Sequence, residues 1–141
     1  MREIDLLVVH CTATPEGRPV TIEEIKKWHT DKPPMGRGFM DIGYHWVIAL
    51  DGTIMKGRNE ELPGAHTEGH NAHSIGIAYV GGMDKANKKP KDTRTPEQKE
   101  SLLKLLKQHK TTYPGAVIRG HRDFAAKACP SFDATKEYKA I

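Results

Sequence analysis

The sequence comprises 141 residues, of which 37% are hydrophobic and 28% are charged, and its formal net charge is +4. This length predicts one domain, residues 1–141, and no apolar run approaches the ~18 residues of a membrane span, so no membrane protein is expected. The positive charge favours a polyanionic partner. However, no predicted helix carries basic residues at a spacing suited to a nucleic-acid groove, and aromatic residues are few, so we expect no nucleic-acid binding.

The first predicted strand is the apolar run from residue 4 to residue 9, IDLLVV. Its β-branched and leucine side chains show little alternation, which is typical of a central strand covered on both faces. His10 follows at the exit of this strand. Further along, Thr21 and Glu24 have the spacing of a capping box, and apolar residues recur behind them at helical spacing, so the first helix is predicted to begin at Ile22.

A β-hairpin is predicted after a loop that is rich in proline and glycine. Residues 44–50 and 53–56 have the composition of strands, and the Asp-Gly pair between them is a strong turn signal. Because side chains alternate along a strand, Tyr44 and His45 are expected on opposite faces, which favours a structural role for His45.

The segment from residue 63 to residue 74 is rich in histidine. The spacing of its three histidines would align them on one face of a helix and make a rival metal site: His66, His70 and His73. Proline and glycine within the segment disfavour a regular helix, so a loop that borders a cleft is the preferred interpretation. A strand from residue 74 to residue 80 is predicted next, closed by two glycines.

The second helix is predicted from a capping box formed by Thr95 and Gln98, with proline at the first helical position. Leucines continue it to about residue 112. His109, in its last turn, is interpreted as a surface residue that the helix dipole favours, without a catalytic role. A short strand at 116–119 follows.

Three residues from the two ends of the chain offer a zinc ion two imidazoles and one thiolate: His10, His121 and Cys129. The strand at 116–119 brings His121 to the sheet edge where His10 lies, provided that the sheet is mixed and central. Three protein ligands leave the fourth tetrahedral position open for water, which is typical of catalytic zinc sites and predicts a hydrolase. A disulfide between Cys129 and the other cysteine, Cys11, is the alternative, and it would consume the ligand.

Four strings of the sequence carry a resemblance to a known family: VHCTATP, GYHWVI followed by DGT, GAHTEGHNAHSIGIAYVGG, and GHRDFAAKACPSFD. From about residue 4 to residue 133 they resemble, in order and spacing, the zinc-dependent N-acetylmuramoyl-L-alanine amidases of the phage-lysozyme and peptidoglycan-recognition-protein superfamily. The resemblance implies an α/β fold, a central mixed β-sheet flanked by helices, with zinc in a surface groove. It also implies hydrolysis of the amide bond between N-acetylmuramic acid and the L-alanine of peptidoglycan.

The resemblance also implies roles for individual residues. One Zn²⁺ per chain would be held by His10, His121 and Cys129, with Tyr44 and Lys127 as catalytic residues and with His66 and Asn71 as substrate-binding residues that line the groove. Many recognition-type relatives replace the lysine, and non-hydrolytic receptors lose the cysteine. Because this chain keeps both, it resembles the active phage-type enzymes.

For the cellular context, the resemblance implies a phage or prophage endolysin that acts on peptidoglycan or its muropeptides, and we expect a monomer. The first residues lack the features of a signal peptide. We therefore expect the protein in the cytoplasm, that of the host if it is phage-encoded, until it is released to the cell wall. Two alternatives are a muropeptide-binding module that does not hydrolyse, and a recycling amidase that acts on soluble muropeptides.

Overall fold

The protein folds into a mixed β-sheet with helices on both faces. The structure is a computed structural model that describes residues 2–141. Within that range the strands are β1 (Leu6–Cys11), β2 (Thr14–Pro15), β3 (Trp46–Ile48), β4 (Ile54–Lys56), β5 (Ser74–Tyr79), β6 (Gly82–Met83) and β7 (Val117–Gly120). The helices are α1 (Ile22–Thr30), α2 (Pro96–Thr112) and α3 (Ala134–Glu137), and single 3-10 turns occur at Asn71–His73 and His121–Asp123. Across residues 2–141, no helix has the length and apolarity needed to cross a membrane.

The strand order in the central sheet is β4-β3-β5-β1-β7. Strand β1 pairs in parallel with both β5 and β7, and β3 pairs in parallel with β5, whereas β4 runs antiparallel to β3. The predicted α/β fold with a mixed sheet is therefore confirmed. The hairpin strands are shorter than predicted, because the ladder between β3 and β4 covers only Trp46–Ile48 and Ile54–Lys56.

The central strand β1 is buried along its whole length because helices cover both faces of the sheet. Its residues Leu7 and Val9 pack against Leu102 and Leu106 of α2, and all four side chains are fully buried. Burial of each such side chain contributes about 1.5–3 kcal/mol. By strand alternation His10 points to the opposite face, on the side of α1.

Both predicted capping boxes are present. Thr21 accepts the Glu24 backbone N–H at 3.1 Å, and Thr95 accepts the Gln98 backbone N–H at 3.0 Å. The buried Gln98 amide also donates to the carbonyl groups of Ile48 and Val80. The residue that caps α2 therefore also attaches this helix to the sheet.

The interpretation of His109 as a surface residue is wrong. Its side chain is only 9% exposed and its Nε2 pairs with the Glu60 carboxylate, which also accepts the Trp46 indole N–H. Its Nδ1 lies 2.9 Å from the Leu105 carbonyl oxygen. His109 thus joins α2 to the loop after β4, a contact that helical spacing does not predict.

We expect His109→Gln to destabilise the protein more at pH 5.5 than at pH 9. Burial by itself lowers the pKa of His109, but the Glu60 carboxylate more than compensates, so the net pKa is raised. The free energy of folding that this pKa shift contributes is fully present below the unfolded-state pKa of about 6.5. It is lost as pH rises through the folded-state pKa. The pKa of Glu60 is lowered, against the effect of burial, by its hydrogen bonds with His109 and Trp46.

The pair therefore stabilises the fold most strongly between about pH 4.5 and pH 6.5. Loss of a hydrogen bond between charged groups costs about 1.5–3 kcal/mol. Thermal unfolding of wild type and variant at the two pH values measures the difference, with Lys104→Gln on the exposed face of α2 as control. An equal loss at both pH values would contradict this explanation.

Candidate metal centre

Two histidines meet at the carboxyl edge of the sheet because their strands are parallel neighbours. Gly120 lies opposite Val9 in the register of β1 and β7, so the next residues, His121 and His10, adjoin. Their ring centroids are 4.6 Å apart. As expected, the sheet therefore places His121 at the edge where His10 lies.

Cys129 reaches the same edge through the loop that follows β7. The Arg122 backbone N–H donates to the Cys129 carbonyl at 2.7 Å and closes the loop. The Cys129 Sγ accepts the Cys11 backbone N–H at 3.2 Å and lies 3.7 Å from Nδ1 of His10. Both cysteines are free thiols, so the alternative disulfide is not formed.

The three side chains lie close enough together to share one metal ion, and their chemistry suits zinc. One donor atom each from His10, His121 and Cys129 lies within 4.8 Å of the others. Zinc bond lengths of 2.0–2.3 Å place ligand atoms roughly 3.3–3.8 Å apart in a tetrahedron, and the Nδ1 to Sγ distance of 3.7 Å falls within that range. Two imidazoles and one thiolate are a donor set that zinc favours.

The protonation states of the cluster also suit a cation. Burial, together with neighbouring histidines, lowers the pKa of His10, and burial lowers that of His121, so both rings are neutral at neutral pH. The contact with the Cys11 side chain and burial raise the pKa of the Cys129 thiol. A bound metal ion would supply the charge that stabilises the thiolate, so its binding would release a proton.

His66 and Asn71 lie beside the cluster, on the groove wall. His66 is buried, and its Nδ1 is 2.9 Å from Nε2 of His10, so its polar atoms face the protein. The Asn71 Oδ1 accepts the backbone N–H groups of His66 and Thr67, each at 3.0 Å. The substrate-binding roles of both residues stay predictions.

Tyr44 and Lys127 both line the groove. The Tyr44 ring is 5.1 Å from that of His10, and its hydroxyl is 3.5 Å from the Cys11 carbonyl oxygen. Burial raises the pKa of this hydroxyl, so it is protonated at neutral pH. Lys127 is exposed on the rim, and its positive charge contributes to the lowered pKa values of His10 and His121.

The groove itself has a volume of about 680 Å³. Its wall next to Tyr44 comes from α1 and the loop after it, through His29, Arg37 and Phe39, which the sequence motifs did not identify. His29 accepts the Gly43 backbone N–H at 2.8 Å and so ties α1 to the residue before Tyr44. Only the folded structure places these three side chains at the groove, since no local sequence pattern marks them.

The rival site formed by the three loop histidines is not assembled. His66 turns inward to His10, whereas His73 pairs with Asp5 at 2.5 Å. His70 packs against the ring of Phe124, with centroids 4.3 Å apart. The segment forms turns and a single 3-10 turn, so the helical alignment that this alternative requires is absent from residues 63–73.

Comparison with known proteins places the chain among wall hydrolases. Residues 1–132 match the protein family described as N-acetylmuramoyl-L-alanine amidase. The endolysin of Klebsiella phage KP32 is 42% identical over 132 residues, which cover 94% of this chain and 83% of that endolysin. The endolysin of Escherichia phage T7 is 43% identical over 129 residues, covering 92% and 82% of the two chains.

The fold agrees with that of solved amidases. The endolysin amidase LysCS from Clostridium intestinale URNW superimposes with a TM-score of 0.81 at 31% identity. The match covers 99% of this chain and 83% of LysCS. Similarity of sequence and similarity of structure therefore indicate the same family.

Proposed function

This chain belongs to the N-acetylmuramoyl-L-alanine amidase family, and from that premise we propose that its catalysis depends on one zinc ion held by His10, His121 and Cys129. The chain is a peptidoglycan amidase of the phage endolysin type, which hydrolyses the bond between N-acetylmuramic acid and L-alanine. The observation that supports the zinc site is the convergence of two neutral imidazoles and one thiol at the floor of the groove.

The bound ion would supply Lewis-acid polarisation of the scissile carbonyl and an activated water at neutral pH. The chain's own residues account for the remaining requirements. Lys127 presents a cation from the rim, where it stabilises the negative charge that develops on the carbonyl oxygen in the transition state. The protonated hydroxyl of Tyr44 orients the attacking water or delivers a proton to the leaving amine.

Substrate binding is assigned to the walls of the groove. The Asn71 side-chain oxygen is occupied by two backbone N–H groups, which leaves its amide N–H₂ to donate to the glycan or stem peptide. The net charge of +4 supports attraction of the protein to the anionic wall. We further propose that the protein acts as a monomer and resides in the host cytoplasm until release.

The first test is amine release from purified peptidoglycan, with the zinc-loaded protein, with a chelator, and after zinc is restored. We expect new L-alanine amino termini on intact stem peptides, identified by mass, and we expect the chelator to stop their release reversibly. Wall binding without release would instead support the non-hydrolytic recognition module. Release from soluble muropeptides but not from intact wall would support the recycling amidase.

A further inference from the structure

The ring nitrogen of His10 that faces away from the metal centre is held by a chain of side-chain contacts. His10 Nε2 lies 2.9 Å from His66 Nδ1, and the two rings meet edge to face, at 89°. On the far side, His66 Nε2 lies 3.3 Å from the hydroxyl of Ser74. These contacts run from the metal centre through His66 to the first residue of β5.

We propose that His66 is a positioning residue, which holds His10 in the tautomer that carries its proton on Nε2 and so presents an unprotonated Nδ1 to the metal. This inference rests on the proposed zinc site and assigns His66 a role other than direct substrate binding. The hydrogen bonds would run in one direction, from His10 to His66 and from His66 to Ser74.

The proton positions follow from the need for one hydrogen between two facing imidazole nitrogens. If His66 Nδ1 carried that hydrogen, neutral His10 would carry its own proton on Nδ1, which faces Cys129 Sγ at 3.7 Å and is the atom that a metal requires. Thr67 Oγ1 lies 3.3 Å from His10 Nε2 and 2.9 Å from His66 Nδ1, so its hydroxyl can accept the His10 proton while it donates its own to His66. The opposite direction would therefore block the metal centre.

Neighbouring glycine residues lie so close to the His66 ring that they restrict its position. A methyl group built on Gly76 would lie 2.6 Å from the Cγ and Cδ2 atoms of His66, and one on Gly64 would lie 2.6 Å from Cδ2. Two glycines thus flank the ring closely, while the Asn71 side chain holds the His66 and Thr67 backbone. This packing accounts for Gly64, His66 and Asn71 in the string GAHTEGHN.

A neutral partner behind a metal ligand has an electrostatic consequence. Metal-bound histidines often donate to a carboxylate, which adds negative charge to the site. His66 instead presents an imidazole nitrogen, Nδ1, which accepts the hydrogen bond without adding a carboxylate's negative charge. A zinc ion with one thiolate then keeps a net charge of roughly +1, which favours binding of an anionic transition state.

The test compares His66→Phe, which removes the acceptor, with His66→Asn, whose side-chain oxygen replaces Nδ1. Zinc affinity is measured by competition with a chromophoric chelator. We expect a 10–100-fold loss of affinity for His66→Phe, the usual effect of removing a partner behind a ligand, and substantial recovery for His66→Asn. The control is His70→Phe, a histidine of the same loop that packs on Phe124, and its zinc affinity should equal that of wild type.

A second measurement needs no variant. The ¹⁵N chemical shifts of the histidine rings in wild-type protein should place the proton of His10 on Nε2, both without zinc and with it. A proton on Nδ1 of His10 in the metal-free protein would overturn the proposal, as would unchanged zinc affinity in His66→Phe. If wild type binds no zinc, the proposed function fails, yet the ring shifts of the metal-free protein still decide whether His66 sets the tautomer.

Discussion

Replacement of Cys129 by serine is expected to abolish amidase activity and to weaken zinc binding by more than 100-fold. Loss of a partner behind a ligand already costs 10–100-fold in affinity, so loss of the ligand itself should cost more. A serine hydroxyl does not ionise at neutral pH, whereas the thiol can become the thiolate that zinc binds. The side chain is partly exposed at the groove floor, so the fold should remain intact.

Zinc content after dialysis, amine release and thermal unfolding together measure the effect. The matched control is Cys11→Ser, because Cys11 is the other cysteine and contacts Cys129 but supplies none of the three ligand atoms. We expect the control to retain zinc. Stoichiometric zinc and full activity in Cys129→Ser would show that the metal, if any, is held elsewhere.

Replacement of Lys127 by methionine should reduce kcat by about 100- to 1,000-fold, the usual effect of removing one group that stabilises an oxyanion. Methionine keeps the length and apolar volume of the side chain and removes only the charge. Because Lys127 is not among the metal-binding side chains, zinc affinity should stay close to that of wild type. The two readouts therefore separate transition-state stabilisation from metal binding.

Steady-state kinetics on a soluble muropeptide, combined with the chelator competition, provide this comparison. Lys136→Met, an exposed lysine on α3, is the control for general loss of positive charge. A parallel loss of kcat/KM in both variants would assign the effect to attraction of the anionic substrate. A rise in KM with unchanged kcat in Lys127→Met would assign this lysine to substrate binding.

Much of the fold follows from local patterns. The capping boxes at Thr21 and Thr95 locate the starts of α1 and α2, because the side chains that satisfy the free N–H groups are close in sequence. Apolar and polar residues do not alternate in β1, which indicates a strand covered on both faces, and β1 is buried throughout. These features depend on neighbouring residues, so the sequence reveals them directly.

The features that the sequence did not reveal share a different cause. The position of His109 in the last turn of α2 predicts a surface residue that the helix dipole favours, whereas its actual partner, Glu60, lies 49 residues away. The groove wall that contains Arg37 was not identified, since its position depends on the path of an irregular loop. Burial of a polar side chain through a distant partner has no period in the sequence, and pattern arguments do not detect it.

The sequence by itself determined the fold class, the two capped helices, the family resemblance and the identity of the three candidate ligands, because motifs and periodicity are local properties. Only the tertiary structure decided how these ligands are presented. The parallel register of β1 and β7 sets His121 beside His10, and the loop after β7 returns Cys129 to both. The contact between His10 and His66, 56 residues apart, exists only in the folded chain, because hydrogen-bond direction depends on the positions of atoms in space.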